Sequence, residues 1–239
     1  MKKELLYREL AKYYDLIYSF KDYKKDAKRI LKLISRYKKS KGKDLLDVAC
    51  GTGQHLNYLR KKFSCTGMDI NSQMLRIAKN RLKNMIIIKA NMTNFEFNKK
   101  FDVITCLFSS IGYAKTHTQL IRTINNLSRH LKKGGIVIID GWIKPELFNV
   151  GFLHLDTYNS DKLKIVRMGI SRRKGNKSIL EMNYLIGEGK RIKHFKDLHE
   201  LGLFEVSKFL KIMKNAGLRA IFLKKGFLED RGVYVGVKS

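Results

Sequence analysis

The sequence predicts an α/β fold built on a doubly wound, mostly parallel sheet with an antiparallel β insertion. Three observations support this prediction. From residue 45 to residue 140, short β-branched runs alternate with longer segments of helical spacing. A tight turn with two glycines, Gly51 and Gly53, follows the first of those runs. From residue 163 onward, long runs alternate apolar and polar residues, which is typical of antiparallel strands with one solvated face.

Before the sheet, residues 1–40 predict two helices that form an N-terminal helical cap. Their apolar side chains recur at helical spacing, separated by charged residues. The recurring positions are Leu5, Leu6, Leu10, Tyr14 and Ile17 in the first segment, and Ile30, Leu31 and Ile34 in the second.

The central part of the chain predicts strands and helices in alternation. In order, these are strand 45–49, helix 54–62, strand 63–69, helix 72–82, strand 85–90, strand 101–108, helix 116–131 and strand 136–140. Parallel strands need such crossover helices, so this order predicts a sheet covered by helices on both faces.

The last third of the chain predicts a different arrangement. Runs 163–173 and 178–186 are joined by Lys-Gly-Asn-Lys at residues 174–177, which predicts a hairpin, and a third extended run covers 192–201. Helix 205–216 and strands 218–225 and 232–237 then complete the sheet. We therefore expect one domain over residues 1–239, with residues 145–201 as an antiparallel layer added to the parallel sheet.

Charge and composition limit the classes of partner. The chain has 50 basic and 21 acidic residues, which gives a formal charge of +29. Such an excess suits nucleic acid, an anionic surface or a phosphorylated substrate. The lysines are scattered rather than gathered in one block, however, and this favours solvated faces and compositional bias over a nucleic-acid site.

Cysteine usage and hydropathy point to a cytoplasmic protein. Cys50, Cys65 and Cys106 show no metal-ligand spacing, so we expect no metal site. No run reaches the roughly 18 apolar residues of a membrane span, and the charged start lacks a signal-peptide core. We expect no membrane partner.

The glycine turn, residues 47–53, reads Asp-Val-Ala-Cys-Gly-Thr-Gly and is the strongest signal for a cofactor. The dinucleotide fingerprint requires a third glycine where this chain has Leu56, which disfavours a dinucleotide. The next predicted strand ends at Asp69, where such folds place an acid that accepts from ribose hydroxyls. Together these segments resemble the first two motifs of class I S-adenosyl-L-methionine (SAM)-dependent methyltransferases.

This resemblance implies a seven-stranded Rossmann-like methyltransferase sheet with SAM as the cofactor. It places the methionine end of SAM beside the glycine turn, with Asp47 accepting from the ammonium group and Asp69 from the ribose. Asn91 stands where the family often has an acid that accepts from the adenine amino group. The implied cofactor-binding residues are Asp47, Ala49, Gly51, Gly53, His55, Asp69, Ile70, Asn91, Met92 and Leu107.

Later segments narrow the methyl acceptor. Residues 107–113, 141–148, 194–199 and 230–237 resemble nucleotide-linked amino-sugar N,N-dimethyltransferases of deoxysugar pathways, and the resemblance begins near Tyr13. It implies N-methylation of a small amine by in-line displacement, with catalysis mainly by positioning. Residues 145–201 would form the acceptor side. Pro145 is the only proline, which excludes the Asn/Asp-Pro-Pro-aromatic motif of planar-nitrogen methyltransferases and the Pro-Cys pair of cytosine-C5 enzymes.

Candidate residues for the acceptor side are aromatic, basic or titratable. Aromatic side chains can pack a sugar and shelter a cation, arginines can bind a diphosphate bidentately, and histidines can accept a proton. The catalytic candidates are Tyr14, Tyr113, His194 and His199, and the substrate-binding candidates are Trp142, Arg167 and Arg231.

Two other functions remain compatible with the sequence. One is a SAM-dependent RNA methyltransferase, in which the excess positive charge would bind the phosphate backbone of RNA. The other is a SAM-binding regulatory protein without turnover, which the neutral Asn91 keeps open. The favoured partner is a small-molecule acceptor such as a nucleotide-diphosphate sugar, nucleic acid is less favoured, and the chain is expected as a monomer or homodimer.

Overall fold

Two β-sheets form the framework of the chain in the computed structural model, which describes residues 2–228 and 230–239. Met1 and Glu229, which the predicted domain range includes, lie outside the described residues. The strands are β1 (Lys2–Lys3), β2 (Asp44–Val48), β3 (Ser64–Asp69), β4 (Ile86–Lys89), β5 (Phe101–Cys106), β6 (Leu131–Asp140), β7 (Leu153–Asn159), β8 (Leu163–Lys174), β9 (Lys177–Glu188), β10 (Arg191–Gly202), β11 (Leu218–Leu223) and β12 (Val233–Lys238).

Six α-helices and three short 3-10 helices accompany the strands in the described residues. The α-helices are α1 (Tyr14–Ile17), α2 (Tyr23–Tyr37), α3 (Gln54–Leu59), α4 (Ser72–Arg81), α5 (His117–Arg129) and α6 (Val206–Asn215). The 3-10 helices cover Leu5–Tyr7, Ala11–Tyr13 and Ser110–Tyr113. From residue 45 onward, the ends of the predicted helices and strands therefore agree with the structure to within a few residues, except at β6, which begins five residues earlier than predicted.

The larger sheet has seven strands in the order β11-β12-β6-β5-β2-β3-β4. Strands β4, β3, β2, β5 and β6 run parallel, while β12 is antiparallel to both β6 and β11. This is the predicted doubly wound, mostly parallel sheet. Its strand order reverses direction beside β2, and ligands of such sheets bind in the crevice at that point, beyond the carboxyl ends of the strands.

The smaller sheet has five strands in the order β1-β10-β9-β8-β7. The predicted hairpin is confirmed: Lys174 pairs with Lys177 around a two-residue turn, in which Gly175 has a φ of 57°. The predicted antiparallel β insertion is confirmed, and it forms a second sheet beside the parallel one. Its strands pair with one another, and within the described residues the two sheets have no strand in common.

Strand β7 was not predicted, and its pattern explains why. Its apolar side chains, Leu153 and Leu155, are 65% and 57% exposed, whereas the polar His154 and Asp156 between them are half-buried. The usual alternation of apolar-inward and polar-outward residues is therefore inverted in this strand.

The N-terminal cap differs from its prediction. The second predicted helix is present as α2, where the Asp22 side chain caps the first turn by accepting from the backbone N–H of Lys25. The first predicted helix is instead broken into two 3-10 helices and the four-residue α1. The backbone N–H groups of Leu5 and Leu6 donate to the Asp197 carboxylate of β10, both at 2.9 Å. This long-range anchor holds the segment against the smaller sheet.

A separate apolar cluster fixes the N-terminal segment near the site. Leu6, Leu10 and Ile17 pack with Ile165 and Tyr184 of the smaller sheet in one buried group. Among residues 2–228 and 230–239, none of the helices has the length and apolar character needed to cross a membrane. Within the same residues, no cluster of His, Cys, Asp and Glu side chains is placed to hold a metal ion.

Candidate functional site

The glycine turn joins β2 to α3 and requires its two glycines for different reasons. Gly51 has a φ of 58° and donates its N–H to Oδ2 of Asp69 at 2.9 Å. Gly53 has a φ of 79°, and a Cβ there would lie 2.5 Å from Cδ1 of Leu82. Gly51 therefore brings the turn onto the end of β3, whereas Gly53 allows α3 to pack closely on its neighbour.

Two buried carboxylates stand at the ends of β2 and β3. Asp69 is 7% exposed and accepts from the backbone N–H of Asn71 at 2.8 Å as well as from Gly51. Asp47 is 2% exposed and accepts from the Thr105 hydroxyl at 2.6 Å. Burial raises the pKa of Asp47 to about 7 and raises the pKa of Asp69 above its usual range. A cationic ligand group would relieve this cost of burying charge.

A cavity of about 300 Å³, here called the inner cavity, opens beyond these strand ends. A small pocket of about 40 Å³ adjoins it at the glycine turn. Among the predicted cofactor residues, those that line the inner cavity are Ala49, Gly51, Asp69, Ile70, Asn91 and Met92. Those that line the small pocket are Asp47, Ala49, Gly51, His55 and Leu107. Gly53 lines neither cavity and packs against Leu82, and its contact with the cofactor stays a prediction.

Asn91 lines the inner cavity, but its hydrogen bonds differ from the expected ones. Its Oδ1 accepts from both the backbone N–H and the hydroxyl of Thr93, each at 3.0 Å. Both lone pairs of the amide oxygen are therefore in use. The NH₂ group is the part of the Asn91 amide that is left to bond a ligand, so Asn91 suits donation to an adenine ring nitrogen rather than acceptance from the adenine amino group.

The N-terminal segment covers this cavity and is hydrogen-bonded to the glycine turn. Asp15 of α1 accepts from the Thr52 hydroxyl at 2.7 Å and from Nη2 of Arg81 at 2.5 Å. Arg81 also donates to the Thr52 carbonyl oxygen. Beside Asp15, Tyr14 is 8% exposed and lines both the inner cavity and the small pocket.

A second cavity of about 550 Å³, here called the outer cavity, lies between the N-terminal segment and the smaller sheet. The three predicted substrate residues, Trp142, Arg167 and Arg231, all line it. The Arg231 guanidinium lies 4.5 Å from the centre of the Trp142 ring, and Trp142 Nε1 donates to the Ser178 hydroxyl at 2.9 Å. The cavity therefore combines aromatic walls with cations.

The two arginines are held differently. Arg167 is 4% exposed and donates from Nε to Asp156 at 2.9 Å and from Nη1 to the Tyr18 hydroxyl at 2.7 Å. Its charge is therefore already paired. Arg231 donates from Nη1 to the Ser109 hydroxyl at 2.9 Å, and within the described residues it is in no ion pair, the opposite charge that acts on it most strongly being the carboxylate of Asp140. Arg231 is consequently the better placed of the two to bind an anion.

A basic groove adjoins the outer cavity. The two share Phe20, Leu228, Asp230 and Arg231. Basic residues that line only the groove are Lys21, Lys25, Lys28, Arg29, Lys32, Lys224 and Lys225. This charge favours an anionic ligand that extends from the outer cavity.

Three residues, Tyr7, Phe108 and Tyr113, line both the inner and the outer cavity. They mark the boundary where groups held in the two cavities would meet. Phe108 has a φ of 52°, a backbone strain that is common at functional sites. The Tyr113 hydroxyl lies 2.8 Å from Nδ1 of His199, so the structure brings two of the predicted catalytic residues together.

His194 is not part of the site. It is exposed on β10 and its Nε2 lies 3.0 Å from Oδ1 of Asn183. Successive side chains of a strand point to opposite faces, and His199 lies five positions after His194, so the two side chains point to opposite faces. When His199 faces the outer cavity, His194 must face away from it.

Several site residues were missed in the sequence. Tyr7 and Asp197 are the most consequential, since Tyr7 lines both cavities and Asp197 anchors the segment that carries it. Tyr7 lies in a charged N-terminal stretch, and the Asp197 side chain points into the protein from a mostly polar strand. The one available signal for Asp197 was its position two residues before His199, because residues two apart in a strand point to the same face.

Taken together, the site is built to join two ligands. The inner cavity, with the buried carboxylate of Asp69, and the adjoining small pocket, with that of Asp47, together fit a nucleoside that carries a cationic amino-acid end. The outer cavity, with Arg231 and aromatic walls, fits a polar, anionic molecule. Their shared boundary allows transfer of a group from one ligand to the other by proximity and orientation.

Comparison with known proteins agrees with this geometry. Residues 45–135 match the methyltransferase-domain family. Over 233 residues the chain is 35% identical to dTDP-3-amino-3,4,6-trideoxy-alpha-D-glucopyranose N,N-dimethyltransferase of Streptomyces venezuelae, covering 96% of this chain and 98% of the relative.

Solved structures give the same result. The crystal structure of Streptomyces venezuelae DesVI is similar with a TM-score of 0.89 and 35% identity, covering 96% of this chain and 98% of that one. A SAM-bound amino pentose methyltransferase from Micromonospora echinaspora is similar with a TM-score of 0.83 and 26% identity, covering 92% of each chain.

Proposed function

Because the chain belongs to the SAM-dependent dTDP-amino-sugar N,N-dimethyltransferase family, we propose that it transfers two methyl groups to the amine of a nucleotide-linked amino sugar. The observation that carries this proposal is the pair of cavities that share Tyr7, Phe108 and Tyr113. It explains how a nucleoside-like methyl donor and a separate anionic acceptor can meet in one site.

The residues of the inner cavity and of the small pocket fit SAM. Asp69, with its carboxylate fixed by two backbone N–H groups, would accept from the ribose hydroxyls, and Asp47 from the ammonium group. Asn91 would donate to the adenine ring. When bound, SAM supplies a methyl group on a positively charged sulfur, and the aromatic wall that includes Tyr14 suits such a cation.

The outer cavity and the basic groove fit a nucleotide diphosphate. Arg231 would bind the diphosphate, Trp142 would pack against the sugar or base, and the lysines of the groove would attract the anion. Arg167, being paired with Asp156, would shape this wall and keep Tyr18 in place. Positioning of the amine against the methyl group can supply several kcal/mol of the barrier.

The direct test measures transfer of radiolabelled methyl groups from SAM to three kinds of acceptor: dTDP-linked 3-amino and 4-amino sugars, simple amines, and tRNA or rRNA. We expect incorporation into the amino sugars. Incorporation into RNA alone would make the chain an RNA methyltransferase, and SAM binding without any transfer would favour the regulatory reading.

Arg231 gives this test a matched control. Arg231→Ala should raise the KM for the nucleotide sugar about tenfold or more, because charge-assisted hydrogen bonds contribute about 1.5–3 kcal/mol. Arg219→Ala removes an exposed arginine on β11 and should leave the KM unchanged. Equal KM values for the two variants would remove Arg231 from the diphosphate site.

A further inference from the structure

A chain of four hydrogen-bonded side chains leads from the boundary of the two cavities into the protein. The hydroxyls of Tyr7 and Tyr113 are 2.7 Å apart, and the Tyr113 hydroxyl is 2.8 Å from Nδ1 of His199. Nε2 of His199 is 3.0 Å from Oδ2 of Asp197. Tyr7 lines both cavities, while His199 and Asp197 are 3% and 0% exposed.

The chemistry of the groups fixes the direction of this chain. An ionised carboxylate only accepts, so His199 must donate its Nε2–H to Asp197, which leaves Nδ1 as an acceptor. Tyr113 therefore donates its single hydroxyl proton to Nδ1 of His199. Tyr7 in turn donates to the Tyr113 oxygen, and the lone pairs of the Tyr7 oxygen remain able to accept a proton from a ligand.

The ionisation of the two tyrosines agrees with a relay role. Burial raises the pKa of both phenols well above the usual range, so neither becomes a phenolate near neutral pH. Each hydroxyl can still accept one proton and pass on another. The His199 pair with Oδ2 of Asp197 keeps the Asp197 carboxylate charged, and its pKa is lowered.

Double methylation creates a need for such a relay. After the first transfer, the nitrogen of the product carries an extra proton and has no lone pair with which to attack a second methyl group. We propose that Tyr7, Tyr113, His199 and Asp197 form a proton relay that deprotonates the monomethylated amine between the two transfers. This inference rests on the proposed function, and it assigns a role to Tyr7 and Asp197.

The step balances without any further reactant. The N–H bond of the secondary ammonium breaks and its electron pair stays on nitrogen, while the proton bonds to the Tyr7 oxygen. The Tyr7 proton moves to the Tyr113 oxygen, and the Tyr113 proton moves to Nδ1 of His199. The resulting imidazolium is stabilised by Asp197. When the Tyr113 hydroxyl rotates away, Nδ1 gives its proton to water in the outer cavity, which His199 lines, and the starting tautomer is restored. Tyr7 touches the substrate and is the catalytic residue, and the other three are relay and positioning residues.

Other titratable groups face this chain and must be considered in its pH dependence. Glu4 is the titratable group of the N-terminal segment, and its carboxylate forms an ion pair at 3.1 Å with Lys115. Lys115 follows the Ser110–Tyr113 helix. Tyr184 of β9 interacts electrostatically with Tyr7. Tyr18, which lines the outer cavity, and Asp69, which lines the inner cavity, also interact electrostatically with Tyr7. Burial raises the pKa of Tyr184 well above the usual range, so this phenol stays protonated near neutral pH, and Lys115 offsets the charge of Glu4.

The main test resolves unmethylated, monomethylated and dimethylated sugar by mass spectrometry after rapid mixing with saturating SAM. In Tyr7→Phe, which leaves Tyr113, His199 and Asp197 unchanged, we expect the second transfer to slow about 100-fold relative to the first at pH 7. Monomethylated sugar should accumulate, and raising the pH should restore the second step. His199→Gln should behave in the same way.

Tyr37→Phe is the matched control, because Tyr37 lies on α2 outside both cavities. It should keep the wild-type ratio of the two rate constants. A second measurement does not depend on turnover: spectra of ¹⁵N-histidine-labelled protein, assigned with the His199→Gln variant, should show His199 with its proton on Nε2.

The outcomes separate the relay from the proposed function. If wild-type protein dimethylates the sugar and Tyr7→Phe and His199→Gln keep its ratio of rate constants at every pH, the relay is wrong and the function stands. A His199 proton on Nδ1, or a wild-type enzyme that stops after one methyl group, also overturns the relay. A wild-type protein that methylates no amino sugar overturns the proposed function itself.

Discussion

Asp47 is buried so deeply that its proton is lost only near neutral pH. Burial raises its pKa to about 7, and the positive ammonium group of a bound ligand favours the ionised form. The affinity for S-adenosylhomocysteine should therefore rise with pH by up to about tenfold per unit below pH 7, and level off above it.

Calorimetric titration between pH 5.5 and 8 checks this expectation. In Asp47→Asn the side chain cannot ionise, so the dependence should disappear and the affinity should stay low throughout. A pH dependence that survives in Asp47→Asn would assign the titration to another group, of which Asp69 is the nearest candidate because its pKa is also raised by burial.

Asp69 contributes through two fixed acceptors. In Asp69→Asn the amide nitrogen must face either the Gly51 or the Asn71 N–H, both of which need an acceptor. Affinity for S-adenosylhomocysteine should fall about 10- to 100-fold, since hydrogen bonds to charged groups contribute about 1.5–3 kcal/mol. Asp161→Asn, in an exposed turn, is the control. Unchanged affinity in both variants would exclude Asp69 from the ribose site.

Single residues also show where sequence reasoning succeeds and fails. Asp47 and Asp69 could be placed because each ends a predicted strand, and parallel strand ends meet at one edge of the sheet. His194 was chosen wrongly because strand parity was not applied to it. The hydrogen bonds of Asn91 depend on a local turn with Thr93, which residue identity alone does not reveal.

At the scale of elements, the two glycines of the glycine turn have different roles: Gly53 allows close packing, and Gly51 lines the inner cavity. Gly53→Ala should lower the free energy of unfolding by about 2 kcal/mol, because its φ is 79° and its Cβ would lie 2.5 Å from Leu82. Gly51→Ala should cost about 1 kcal/mol, because its Cβ would make only ordinary contact, 3.5 Å from Met74.

Binding should show the reverse order. Gly51 lines the inner cavity, so Gly51→Ala should weaken S-adenosylhomocysteine binding more than Gly53→Ala does. Urea denaturation and calorimetric titration of the two variants measure both quantities. Equal stability losses together with equal affinities would show that the two glycines share one role.

Elements with a clear period were predictable, and those shaped by distant contacts were not. The parallel strands are apolar runs between helices, and the β8–β9 hairpin has a turn of standard chemistry. In contrast, the first N-terminal helix was predicted from periodicity but is broken into two 3-10 helices and α1. Its start is held against β10 by Asp197, which accepts from the Leu5 and Leu6 N–H groups, a long-range contact that periodicity does not reveal. Strand β7 has inverted polarity and carries no ordinary strand signal.

For the whole molecule, we propose that the chain folds as one domain. The N-terminal segment packs against β8 and β9 in an apolar cluster that also includes Met74 of α4, so one core connects the smaller sheet to the larger. Thermal unfolding should show one transition, with equal calorimetric and van't Hoff enthalpies. Two resolved transitions would mean that the smaller sheet melts independently.

The division of labour between the two sheets has an evolutionary consequence. The ends of the parallel strands and the N-terminal segment line the inner cavity, whereas much of the outer cavity comes from β7 to β10. Substitutions in the smaller sheet can therefore change the range of acceptors without disturbing the methyl donor. Within the described residues, only Tyr7, Phe108 and Tyr113 line both cavities, and adaptation to a new acceptor should leave these three unchanged longest.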